Sequence, residues 1–284
     1  MGQNRLVKIQ PTDTVLITGA SGGLGIHMVR AFAQRGTRLV LVANPGAELN
    51  HACAEAKKLG SEATAIISDL RDRAARTQLV AEVLQRFGRI DILVNNAGIE
   101  FTAYYHEQEP QNILDVLGVN LEAPMLLTRL LLPRMLERRR GQVVNIASLA
   151  GKSGPAFEES YAASKAGLLA FTESLRATYR RTGVSASVIV PGFIEAGIYT
   201  DLKARAGHPA PRVLGSLPPE AVARAVLRAI EEDRPEIIVN QWPVRPLLAF
   251  IALFPKAGEW VVEKMGSNDF FRAVVAGQKK PPGK

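Results

Sequence analysis

The stretch Thr18–Gly25, "TGASGGLG", follows the apolar run "TVLIT" and opens a helical pattern beginning near Leu24. Gly19 and Gly23 free the backbone to turn sharply and approach a ligand, and Gly25 allows a helix to pack closely on a sheet. The first turn of such a helix carries unpaired N–H groups and the positive end of a dipole, which together suit a pyrophosphate. A glycine-rich turn alone marks only a tight bend. The strand–loop–helix setting makes Thr18, Gly19, Ser21, Gly22, Gly23, Leu24 and Gly25 a candidate phosphate loop.

Working outward, the same alternation repeats. The runs "RLVLVA", "EATAIIS", "IDILVN", "GQVVNIAS", "VSASVIV" and "EIIVN" are each apolar and short, with longer helical patterns between them. Little polar alternation appears within the runs, as expected of strands covered on both faces. The expected fold is α/β: a doubly wound parallel sheet with helices on both faces and the loops after the strands gathered on one edge. The pattern between the fourth and fifth runs predicts one long helix from about Gln111 to Glu137, and Phe193–Leu217 is expected as a long functional loop.

The 284 residues are 47% hydrophobic and 22% charged, the balance of a soluble globular chain, and the formal charge is +8. That charge favours anionic ligands. It does not imply nucleic acid, because the basic residues are dispersed and no aromatic residues interleave with them. The short clusters Arg138–Arg140 and Arg180–Arg181 are expected as solvated helix ends. Cys53 is the single cysteine, which excludes an internal disulfide and suits a reducing, cytoplasmic home. The four histidines stand apart from one another and from Cys53, so no metal site is expected. No secretory signal is expected, and Leu6 occupies the position where a myristoylation motif needs Ser or Thr.

Two polar residues, Tyr161 and Lys165, lie one helical turn apart in "YAASK", on the same helix face. A nearby ammonium lowers the pKa of a phenol and makes it a usable acid–base group. Ser148, at the end of a strand pattern, is placed to hold a substrate oxygen. The second strand ends in "LVLVANPG", with no carboxylate at Ala43 or Asn44 to bond a ribose 2′-hydroxyl. Asn44 thus leaves room for a 2′-phosphate, and NADP is weakly preferred over NAD.

Together "TGASGGLG", "SDL" ending at Leu70, "NNAG" at Asn95–Gly98, "VNLEAP" containing Asn120, "VVNIAS" ending at Ser148, "YAASK" and "PGF" from Pro191 resemble the short-chain dehydrogenase/reductase family over about Asp13–Asn240. The resemblance implies a Rossmann-like sheet of seven strands, an NAD(P) cofactor and an oxidoreductase, commonly a homo-dimer or tetramer. It implies the tetrad Asn120, Ser148, Tyr161 and Lys165, with Tyr161 as general acid or base. Asn120 would pin a water leading from Lys165 to bulk solvent, and Lys165 would also bond the nicotinamide ribose. Asp69 and Leu70 would meet the adenine. Asn95, Asn96, Ala97 and Gly98 would line the cofactor, and Pro191, Gly192 and Ile194 would flank the nicotinamide. The threonine that family members often carry after the Pro-Gly pair is missing from "PGFIEAG".

Phe101, Leu149, Phe157, Phe193 and Tyr199 are candidate pocket residues, and their apolar character favours a hydrophobic ketone, aldehyde or secondary alcohol. The expected division is a catalytic domain over 1–240 and a helical extension over 241–284. The extension holds an unbroken apolar run, Leu247–Phe254, too short to span a bilayer. It carries seven basic and three acidic residues. Packing on the protein's own substrate side or on a second subunit is the favoured reading of this extension, and contact with a membrane surface, as in a lipid, steroid or acyl reductase drawing substrate from the bilayer, is the alternative. A non-catalytic cofactor-binding sensor or scaffold is the rival from another class; the complete tetrad argues against it.

Overall fold

The computed structural model describes residues 8–44 and 47–278. Each apolar run becomes a strand: β1 (Thr14–Thr18), β2 (Arg38–Ala43), β3 (Ala63–Ile67), β4 (Ile92–Asn95), β5 (Gly141–Ile146), β6 (Val184–Pro191) and β7 (Glu236–Val239). They form one parallel sheet in the order β3-β2-β1-β4-β5-β6-β7. Every residue of β1, β4 and β5 is buried, on both faces, which is why these strands read as continuous apolar runs.

One face is covered by α1 (Gly25–Ala33), α2 (Ala47–Lys58) and α8 (Glu220–Glu231), which share a core with Val15, Ile17 and Leu41. The other is covered by α3 (Arg73–Phe87), α5 (Ala123–Glu137) and α6 (Glu159–Thr178), with Leu16, Val40 and Leu93 beneath, while α4 (Pro110–Leu117) packs on α6. Strand order reverses between β1 and β4, so the crevice beyond their C-terminal ends is the natural ligand site. Cys53 is buried in α2, where burial raises its thiol pKa and keeps it inert.

Three expectations need correction. The single helix over 111–137 is interrupted: a π-helical turn, Gly118–Glu122, separates α4 from α5. Its cause is a contact with another segment, because the Asn120 side chain is engaged by the backbone of Ile99. The combined stretch Pro110–Glu137 is long and apolar enough to cross a membrane, yet more than half of its most apolar 18-residue window is buried in the protein. The long loop contains a helix, α7 (Ile198–Ala206), closed by the left-handed Gly207 at φ 74°. Arg138 and Arg140 are not merely solvated: they bond buried Asp91 and Asp13 at 3.3 and 2.8 Å. Beyond β7 the chain folds back as α9 (Arg245–Leu253), α10 (Pro255–Lys264) and α11 (Ser267–Gln278). In α11, Phe270, Phe271 and Val274 are buried against Tyr199 and Leu202 of α7. This partner explains α7, whose own residues give little helical periodicity. The "KKPPGK" end lies outside the described residues.

Candidate active site

The glycine-rich loop is built from its backbone. Gly19 and Gly23 adopt φ of +62° and +51°, which side chains rarely tolerate. A Cβ at Gly25 would lie 2.0 Å from the Gly19 carbonyl oxygen, so only glycine lets α1 start there. No side chain caps α1 and no acidic residue stands in its first turn, leaving its positive end available. Asn96 holds the loop from below, its Nδ2 donating to the Thr18 and Gly19 carbonyls at 2.9 Å. Thr18 Oγ1 accepts from the backbone of Asn96 and Ala97 at 3.0 and 3.1 Å. Thr18 is therefore a strut between β1 and the loop after β4, not an exposed ligand-binding hydroxyl.

Parallel strands bring Ser148 and the tyrosine helix together. Ser148 follows β5 and caps the 3-10 turn Leu149–Gly151, accepting from Ala150 N at 3.2 Å. A Cβ at Gly151 would sit 2.6 Å from the Lys165 carbonyl carbon, so this turn lies directly on α6. Lys165, only 3% exposed, donates from Nζ to the Ile146 carbonyl at 2.9 Å and sits 5.5 Å from the centre of the Tyr161 ring. Burial lowers the Lys165 ammonium to about 8. Burial also raises the Tyr161 hydroxyl above the ordinary tyrosine value; a hydrogen bond with Ser148 opposes this, and the charges of Glu158 and Glu100 add to it. Asn120, fully buried, accepts from Ile99 N, donates to Ile99 O, both at 2.9 Å, and donates to Ser164 Oγ at 3.1 Å. A Cβ at Gly98 would be 3.3 Å from Lys165 Nζ and 3.4 Å from Asn120 Oδ1. The lysine and the asparagine thus flank a position kept free of side chain.

These groups open into a cavity of about 1040 Å³. At one end it is lined by Gly19, Ser21, Gly22, Gly23, Leu24 and Asn44. Asn96, Ala97 and Gly98 form its floor, with Ser148, Tyr161 and Lys165 beside them. Pro191, Gly192, Phe193, Ile194, Leu149 and Tyr199 carry it onward. Gly25, Thr18 and Asn120 support this surface from behind. Asn95, 2% exposed, is spent on Asn145, donating at 2.8 Å. Asp69 stands at the end of β3, where the guanidinium of Arg71 and then the Asn44 side chain hold its carboxyl below the usual range. Leu70 is buried in the core. Two expected pocket residues do not line the cavity. Phe157, at φ 68°, turns away and meets Tyr104 edge-on at 5.2 Å. Phe101 precedes Thr102 in the loop after β4, held there by Gln108 Nε2 donating to its carbonyl at 3.1 Å.

A sequence profile described as short chain dehydrogenase matches residues 13–207. The chain belongs to the short-chain dehydrogenase family. Among relatives of this short-chain dehydrogenase, the ketoacyl reductase HetN of Nostoc sp. is 42% identical over 263 residues, covering 90% of each chain. The 3-oxoacyl-(acyl-carrier-protein) reductase FabG of Thermotoga maritima is 32% identical over 218 residues, 75% of this chain and 87% of the relative. Among solved structures, an actinorhodin polyketide ketoreductase variant with NADPH superposes with a TM-score of 0.76 at 29% identity, over 82% of this chain and 97% of that one.

Two parts of the dehydrogenase's cavity lie outside the site residues named from the sequence. The far wall is supplied by the last helices, through Leu247, Leu248, Ile251, Val262, Met265 and Phe271. The spacing of 247, 248 and 251 on one helix face is the sign of a half-buried side, in line with the packing favoured for this extension. The other is Glu158, buried at the cavity wall three residues before Tyr161; an acidic residue beside an aromatic in an otherwise small and apolar stretch was its signal.

Proposed function

We propose that the protein is an NADP(H)-preferring oxidoreductase acting on a hydrophobic ketone, aldehyde or secondary alcohol, with 3-oxoacyl compounds the first class to test. One observation carries this reading: a single cavity joins the glycine loop to an apolar chamber, and Tyr161, Lys165 and Ser148 stand where the two meet. The cradle fits a dinucleotide, because the loop glycines leave the backbone of β1 and α1 bare on the cavity side. Gly19, Gly22, Gly23 and Leu24 would hold its phosphates, and Asn44 would admit a 2′-phosphate. When bound, the nicotinamide supplies or takes up the hydride. Ser148 orients the substrate oxygen, and Tyr161 gives that oxygen a proton in reduction or takes it in oxidation. Lys165 supplies the positive charge that favours the phenolate. The ketoacyl and NADP(H)-bound relatives support the substrate class and the cofactor.

The test is a scan of 3-oxoacyl thioesters, simple ketones and secondary alcohols with both cofactors, reading nicotinamide absorbance. Tyr161→Phe should fold, bind cofactor and lose most turnover. Wild-type turnover in that variant would refute the role of Tyr161.

A second reading concerns location, and α9 favours it. The stretch from Pro246 to Pro255 has no charged or polar side chain, yet no residue of α9 is buried. Leu253, Phe254 and Trp260 are 73%, 57% and 61% exposed around the α9–α10 corner. Residues 241–284 would then be an extension that both roofs the cavity and touches a membrane surface from a cytoplasmic protein. Liposome co-sedimentation of the full chain against one ended at Asn240 tests this; equal partitioning would refute it. Exposed Leu114 and Met125 on α4 and α5 support a homo-oligomer, which light scattering would test.

A further inference from the structure

Glu158, 2% exposed, precedes Tyr161 by three residues at the start of α6 and lines the cavity. Its Oε1 meets the Thr102 hydroxyl, and the same hydroxyl lies 2.5 Å from Glu100 Oε2. The other oxygen of Glu100 pairs with Arg205 Nη2, on α7. A hydroxyl has one hydrogen and can donate to only one of two carboxyl groups. Its second contact needs a proton from the other side. Arg205 neutralises Glu100, while Glu158 has no ion pair among the described residues. The proton therefore belongs to Glu158, which donates to Thr102; Thr102 donates to Glu100, and Glu100 faces the guanidinium. Two buried carboxylates sharing one cation would carry a net charge with little solvent to stabilise it.

We propose that Glu158 is a positioning residue: as a neutral acid it ties the start of the catalytic helix, through Thr102 and Glu100, to Arg205 on the cavity-wall helix α7, and withholds negative charge from Tyr161. This rests on the reading of Tyr161 as the acid–base group. The surroundings agree. Burial and the charge of Glu100 raise the Glu158 carboxyl to about 8, with the Thr102 hydrogen bond and Arg205 opposing and Glu159 adding. A charge on Glu158 would hold the Tyr161 proton more tightly. The sign follows: below about pH 8 Glu158 is neutral and the chain is intact; above it the carboxylate repels Glu100 and opposes the phenolate. Lys165 loses its proton in the same range, so an alkaline fall in activity does not by itself identify the group.

Two measurements separate them. Infrared difference spectra of cofactor-free protein, between about pH 6 and about pH 10, should show a protonated-carboxyl band that disappears with a midpoint near 8 and is missing from Glu158→Gln. A wild-type protein without that band at neutral pH overturns the proposal. In kcat/KM against pH, the alkaline limb of Glu158→Gln should begin at higher pH and fall less steeply, because Lys165 alone remains to titrate there. Superimposable limbs overturn the proposal and assign the limb to Lys165. Should Glu158→Gln fail to fold, Thr102→Val carries the infrared test: the band must change frequency on losing its hydroxyl partner, and an unmoved band refutes the chain. The infrared result needs no substrate, so an inert protein that shows the band marks failure of the oxidoreductase reading alone.

Discussion

Replacing Lys165 by methionine removes one charge and keeps an apolar stem in a buried position. The ammonium lies 5.5 Å from the centre of the Tyr161 ring, over which a phenolate spreads its charge; at an effective dielectric of about 20, that attraction is about 3 kcal/mol. Its loss should raise the Tyr161 pKa by about 2 units beyond what burial already imposes. In the oxidative direction the phenolate is the base, so its fraction at neutral pH falls about 100-fold. The ammonium is present for this purpose below about pH 8, since burial lowers Lys165 to that value. The assay is oxidation of a secondary alcohol at saturating cofactor, followed by kcat against pH, so that weakened cofactor binding does not enter. The expected result is a loss of about 100-fold near neutrality, with the rising limb displaced to higher pH. A Lys165→Met enzyme within about fivefold of wild type, with an unmoved limb, would refute the electrostatic argument.

Gly25→Ala should abolish tight cofactor binding and lower the melting temperature, because the new Cβ would lie 2.0 Å from the Gly19 carbonyl oxygen; calorimetric titration with cofactor checks this. Asn44→Asp should cut kcat/KM with NADP about tenfold or more while sparing NAD, as the new carboxylate repels a 2′-phosphate. Phe270→Ala, at a side chain 1% exposed and in ring contact with Phe193 and Tyr199, should cost about 3–5 kcal/mol by denaturant titration. It should raise KM for a hydrophobic substrate more than Kd for the cofactor, since Phe193 and Tyr199 line the chamber.

The sheet and the cofactor end of the site were legible in the sequence because they depend on local rules. A strand buried on both faces must be apolar throughout, and a strand-to-helix turn at a phosphate loop needs glycine, so β1 and Gly19–Gly25 announce themselves. Features set by distant contact were not legible. The helix α7 exists because Phe270 and Phe271 cover it from some seventy residues away in the chain, which no window of sequence shows. The π-helical turn at Asn120 depends on the backbone of Ile99, in another segment. Arg138 and Arg140 looked like a solvated helix end because their partners, Asp91 and Asp13, belong to other strands' approaches. Phe157 was misplaced because its positive φ, unusual for an aromatic residue, is a property of the folded loop.

The cavity has two authors in the chain. The groups proposed to move the proton, Ser148, Tyr161 and Lys165, fall within the 13–207 stretch that the family profile matches. Much of the apolar wall comes later, from Leu247, Leu248, Ile251 and Phe271. Appetite and chemistry are therefore written in separate stretches of the chain: substitutions in the last forty residues can recast the apolar wall while leaving the proton-handling groups in place. Exchanging 241–284 between relatives becomes a direct way to move a substrate preference as a unit.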